Sequence, residues 1–205
     1  LNATHYKIYE PAVIRKWVQQ AAHPDFRFCP KFFKGITHDG GLQADPAATY
    51  SFLDSLHAFD ELLGPAFIQL SDAFGPQRRQ ELFGFLSSLP RLKGYFVELR
   101  HSGWFEQILQ HELLSHLQQL ETGLVITDTP GRRDCSHMHL TSRSTMIRFV
   151  GHNLHPTDYS RCDAWVNRIV AWVGQGLEEL YFFMHMKQEE TAPVLALYLA
   201  EQLEQ

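Results

Sequence analysis

With 205 residues, 44% hydrophobic, 13% aromatic and 20% charged, the chain matches one ordinary α/β domain with a substantial core, which excludes a low-complexity or disordered polymer. A net charge of −5 provides no global basic field for nucleic acid, although a local basic patch remains compatible with it. No apolar run approaches the ~20 residues that span a bilayer, so a membrane is not an expected partner.

Residues 1–6 read as the end of a strand leading into a loop. Pro11 suits a first helical turn, and Val13, Ile14, Trp17, Val18 and Ala21 supply its apolar stripe until His23-Pro24 stops it. Phe26-Arg27-Phe28 is the first of six short apolar runs, and the others are 66–70, 95–99, 124–127, 146–150 and 180–184. Helical patterns fall between them at 52–63, 77–89, 104–120, 159–173 and 191–203. Residues 129–145 form the one long irregular stretch.

Alternating β and α elements predict parallel strands joined by helical crossovers, with ligands bound at the C-terminal strand ends. No Ser-, Gly- or Pro-rich linker divides the chain, so residues 1–205 read as a single domain. Neither a G-x-G-x-x-G nor a Walker motif is present, which favours a closed TIM-like (βα) barrel over an open doubly wound sheet. Counting residues 1–6 gives seven strands, one short of eight. The expectation is a barrel whose first βα unit precedes the residues at hand.

Three cysteines without a C-x-x-C spacing, Cys29, Cys135 and Cys162, point to buried free thiols and a reducing, cytoplasmic compartment. Cys135 as a nucleophile beside Arg132 and Arg133 is the weaker reading. Several residue patterns resemble the YecE-like family, a bacterial domain without an established activity. They are Asn2-x-Thr4-x-Tyr6, Phe26-Arg27-Phe28-Cys29-Pro30-Lys31, Ile36-Thr37-His38, Gly64-Pro65-x-x-x-Gln69-Leu70, Val97-Glu98-Leu99-Arg100-His101, Trp104-Phe105, Arg148-Phe149-Val150-Gly151 and Phe182-Phe183. The resemblance implies a TIM-barrel-like fold that normally begins with one more βα unit. The chain departs from the family pattern at Gly151-His152-Asn153 and at Phe183-Met184-His185.

Candidate chemistry sits just after or within the apolar runs. Glu98 and Arg100, two apart on an extended segment, point to one face. They either handle a polar ligand or form an ion pair that closes a barrel mouth, and His101 adds a titratable group. Arg148, amid Met146, Ile147, Phe149 and Val150, needs a carboxylate partner, for which Asp128 and Glu98 are the candidates. Lys31, Arg100, Arg132 and Arg148 together suggest a small phosphorylated or otherwise anionic ligand, with nucleic acid as an open second class. Gly131-Arg132-Arg133-Asp134 reads as an anion clamp or, more plainly, as a solvated loop with internal pairing.

The expected site therefore gathers Lys31, His38, Gln69, Glu98, Arg100, His101, Asp128, Arg132, Arg148 and His185. Glu98, His101 and Asp128 are the acid–base candidates and the rest hold ligand. Twelve histidines raise a metal reading, through His137-Met138-His139 or through Glu98, Asp128 and His185, as in a barrel nuclease or sugar isomerase. Fixed cations on the same rim would repel a divalent ion by about 4 kcal/mol each at ~4 Å, so no cofactor and no metal are expected. No Gly-x-Ser-x-Gly elbow supports a serine hydrolase.

Overall fold

The computed structural model describes residues 1–204 except 22, 40, 43 and 44, with the backbone alone at 107 and 108. The chain packs as two compact units, Leu1–Gly123 and Leu124–Gln205. In the first come α1 (Ala3–Tyr6), α2 (Pro11–Gln20), α3 (Lys34–Thr37) and α4 (Pro46–Leu56), the last running on into a 3-10 stretch, His57–Leu62. Then follow β1 (Ala66–Gln69), α5 (Arg79–Ser88), β2 (Tyr95–Glu98), α6 (Gln107–Gln119) and the two-residue β3 (Gly123–Leu124). Prolines at the starts of α2 and α4 sit where the missing N–H is not needed. Asp45 caps α4 by accepting from Ala48 N at 3.0 Å.

β1 and β2 pair in parallel, Ala66 opposite Tyr95 and Gln69 opposite Glu98, and β3 joins β2. Alternation then sorts the side chains. The Tyr95 face meets Phe32, 6.2 Å between ring centres, which itself packs on Phe52 and Phe85 from the helices. The other face carries Phe67, Gln69, Phe96 and Glu98. Gly123 is required here: a Cβ would lie 2.1 Å from the buried Phe96 ring.

Two expectations fail in this unit. Residues 1–6 contain the one-turn α1 and no strand, because Thr4 Oγ1 shares its one proton between Leu1 O at 2.9 Å and Lys31 O at 2.8 Å. His5 N also donates to Asn2 O at 3.0 Å, so the segment curls onto the chain at 31 and does not extend. The run 26–28 forms only an isolated parallel bridge, Phe28 to Leu63, accompanied by a second, Lys31 to Phe67.

α6 ends in a Schellman motif. Thr122 N donates to Leu117 O at 2.9 Å and Glu121 N to Gln118 O at 3.1 Å. This holds Glu121 at φ 51°, in the left-handed region.

The second unit holds β4 (Ile126–Asp128), β5 (Ser144–Val150), α7 (Pro156–Val173), β6 (Glu179–His185) and α8 (Ala192–Leu203). The expected run 124–127 is thus split at Val125 between β3 and β4. β5 pairs in parallel with both neighbours, seven residues with β6 and three with β4. Ile126, Ile147 and Phe149 face a core built with Trp165, Ile169 and Leu195 from α7 and α8. β4 and β5 lack the crossover helix that usually joins parallel strands. Residues 129–143, irregular as expected, contain only the 3-10 turn Arg133–Cys135.

The pairings among described residues give two three-stranded sheets, and they do not close into a ring. No described helix is long and apolar enough to cross a membrane.

Candidate functional site

Register places Gln69 directly beside Glu98 at the ends of β1 and β2, and the Lys31–Phe67 bridge brings Lys31 alongside. Lys31 Nζ donates to Gln69 Oε1 at 2.7 Å, and Gln69 Nε2 donates to Glu98 Oε2 at 2.7 Å. The amide orientation follows from chemistry, since an ammonium only donates and a carboxylate only accepts. Glu98 is 1% exposed, so the amide supplies part of the hydrogen bonding that a buried carboxylate requires. Lys31 is half-buried.

Around this row lie two imidazoles and an ion pair. His5 Nδ1 donates to Phe32 O at 2.8 Å, and its ring meets that of His38 edge-on with 5.2 Å between centres. His38 Nδ1 is 2.8 Å from Thr37 Oγ1. Burial first, and the Lys31 charge as well, hold both imidazoles below the ordinary histidine range, although the Phe32 carbonyl and Asp39 respectively oppose this. Both are therefore neutral at pH 7. Arg100 Nε pairs with Asp72 Oδ1 at 2.7 Å. His101 turns to the main chain, where its Nδ1 accepts from Gly103 N at 3.1 Å and caps the turn Ser102–Phe105. That turn seats Trp104, whose indole donates to Phe74 O at 2.8 Å.

In the second unit Asp128 ends β4, buried among cations. Arg161 Nη2 is 2.9 Å from its Oδ1 and Arg133 Nη1 3.3 Å, while Trp165 Nε1 donates to Oδ2 at 2.9 Å. Arg161 also donates to Val150 O at 3.1 Å and lies over the Phe149 ring, 3.9 Å from its centre. Arg148 is opposite Thr127 and Phe183, one register step from Asp128, and so lies on the other sheet face. The suggested Asp128–Arg148 pair therefore does not form; Asp128 takes Arg161 and Arg133 in its place. Arg132 pairs with Asp134 at 3.2 Å, as the plainer reading of that loop expects. His185 Nδ1 is 3.9 Å from Glu189 Oε1.

Lys31, His38, Gln69, Glu98 and Arg100 are thus gathered in one unit, with His101 adjacent in the chain. Sequence reasoning missed His5 and Asp72 there, and Arg161, Asp158 and Trp165 in the second unit. The Asp158-x-x-Arg161 spacing in a first helical turn was a usable signal; His5 lay in a segment read as extended. His137 Nε2 donates to Val125 O at 2.9 Å, and its Nδ1 accepts from His139 N at 3.3 Å. Main chain therefore occupies both nitrogens of one histidine in the suspected metal pair. Among the described residues no group of three or more His, Cys, Asp or Glu is placed to hold a metal ion.

Parallel α/β sheets with charged groups collected at strand ends define the class of protein. The chain belongs to the family described as protein of unknown function DUF72, whose model matches residues 1–205. UPF0759 protein YecE of Escherichia coli strain K12 is 28% identical over 221 residues, covering 98% of this chain and 80% of YecE. The YecE-like resemblance of the sequence motifs is thereby borne out. A DUF72 family protein of Enterococcus faecalis V583 superposes with a TM-score of 0.80 at 20% identity, over all of this chain and 83% of that one. Another from Thermotoga maritima MSB8 gives 0.73 at 20% identity, over 98% and 83%. At this identity the likeness to the solved structures speaks for fold alone.

Proposed function

We propose that the protein binds a small phosphorylated or otherwise anionic compound at the strand ends of its first unit, and performs acid–base chemistry on it through Glu98. The observation that carries this reading is the row Lys31–Gln69–Glu98, a half-buried ammonium linked through one amide to a buried carboxylate. Lys31 is an ammonium whose bond to Gln69 fixes it at the strand ends, where its positive charge attracts an anion. Arg100, held by an exposed Asp72 whose attraction is screened by water, is the second cation. Neutral His5 and His38 can accept or relay a proton at pH 7.

Asp128, Arg148, Arg132 and His185 contribute less to this reading. Asp128 already faces two guanidiniums and an indole, an arrangement that suits structure better than catalysis. A TIM-like (βα) barrel is the fold we propose to accompany the site, on the parallel pairing in both sheets and the helical crossovers α5, α6 and α7. Three free buried thiols suit a cytoplasmic setting.

The test is a thermal-shift screen of phosphorylated metabolites and short single-stranded DNA, repeated on Lys31→Met and Glu98→Gln. The expected hit stabilises the wild type, and Lys31→Met weakens it roughly tenfold or more, the size of one charge-assisted hydrogen bond. Glu98→Gln keeps the stabilisation and loses turnover. An anion that stabilises Lys31→Met as well as the wild type overturns the assignment, and a hit confined to DNA moves the protein to the nucleic-acid class.

A further inference from the structure

We propose that the second unit carries its own ligand site, independent of the Lys31 row, which takes a small organic anion with an apolar body. The absent crossover helix between β4 and β5 is the origin. An irregular connection replaces it and leaves a cavity of about 230 Å³ between that connection and α7. Its size is below the ~300–1,000 Å³ of pockets for drug-sized ligands, which excludes a dinucleotide and suits a single ring or short chain.

The lining divides into two parts. Ile126, Trp165, Ala164 and the exposed Met138 give an apolar surface. Arg133, Arg161 and Arg168 bring three guanidiniums. The carboxylates in contact with them are Asp128, which meets Arg161 and Arg133, and Asp158, which meets Arg161 at 3.4 Å. Three cations against two anions leave the cavity positive. Asp134, next to Arg133 in the chain, is taken by Arg132 at 3.2 Å.

Arg161 is fixed by its bonds to Asp128 and Val150 and builds the wall. Arg133 is different. It reaches Asp128 Oδ1 at 3.3 Å, and that buried oxygen accepts no well-aligned hydrogen bond although two guanidiniums stand close to it. Arg133 is 67% exposed and offers five N–H donors, so it can turn from this loose ion pair to a carboxylate or phosphate in the cavity. Arg168, exposed seven residues after Arg161 and on the same side of α7, completes the fork.

The probes are phenyl phosphate and benzoate, followed by calorimetry or NMR titration of the full chain at low salt. Benzyl alcohol keeps the ring without the charge, and inorganic phosphate keeps the charge without the ring. Saturable binding of phenyl phosphate or benzoate is expected. Removing either the ring or the charge should weaken it, and Arg133→Ala with Arg168→Ala should weaken it roughly tenfold or more. Lys31→Met should leave it unchanged, as should the control Arg143→Ala, an exposed arginine just before β5 that pairs with Glu178 and does not line the cavity. Both altered arginines are exposed, so an unchanged melting temperature is expected to show that the fold is retained. No saturable binding, equal binding of benzyl alcohol, or an unaffected double variant overturns the site. Loss of binding in Lys31→Met would assign the anion to the first unit and refute this one.

Discussion

A buried imidazole with both nitrogens committed to main-chain groups cannot take a proton without breaking a hydrogen bond. His137 is in that position, donating to Val125 O and accepting from His139 N, and burial pushes its pKa down to about 4. In the unfolded chain the ring titrates near ~6.5. Below that pH the unfolded state takes up a proton that the folded state refuses. The resulting stability is complete above ~6.5, falls as pH drops and is exhausted near 4, with roughly 3 kcal/mol at stake. His137→Gln should flatten the stability profile between pH 6.5 and 4, measured by urea unfolding at pH 7, 5.5 and 4.5. An equally acid-sensitive variant would show that other groups control acid unfolding. The alternate His-x-His spacing that suggested a metal is thus better explained as a ring anchoring an irregular segment to the end of β3.

At the level of elements, the helix stops were legible because proline and glycine act locally. Gly64-Pro65 ends the stretch after α4, and Pro156 opens α7. The strand-end groups were legible for a related reason: a parallel strand delivers the residue at its C-terminus to one rim, and Gln69 and Glu98 met there. His5 was not legible, since no periodicity marks a one-turn helix held by Thr4 and its own ring to the chain at 31–32. Nor was Arg161 recognised as the partner of Asp128, because they are 33 residues apart and only the packing of α7 on β4 brings them together. The end of α6 supports a prediction of its own. Glu121 occupies a left-handed position where a Cβ is strained and glycine is at ease. Glu121→Gly should therefore stabilise the protein by about 0.5–1 kcal/mol, seen as a higher urea midpoint at unchanged m-value. A lower midpoint would mean that the glutamate side chain makes a contribution exceeding the backbone strain.

On the scale of the whole molecule, the chain packs as two compact units, with the division inside β3 and no linker to announce it. Composition could not reveal this, because both units are built from the same strand–helix alternation. The three thiols are distributed across that division: Cys29 in the first unit, Cys135 and Cys162 in the second, each at most 6% exposed. Burial pushes Cys29 to about 11 and Cys162 to about 12, and raises Cys135 despite the opposing pull of Arg132. A thiol must be both ionised and uncovered to be alkylated, so these three sulfurs act as clocks that start only when their own surroundings open. At pH 8 the native protein should react on the order of a thousandfold more slowly than the urea-unfolded chain. Rapid alkylation of any one thiol in the native state would contradict the burial described above. Mass spectrometry of which cysteine is alkylated first, across a urea series, then gives the order of opening. Simultaneous modification of all three marks one cooperative transition, and Cys29 separating from the other two marks a molecule that comes apart in two steps.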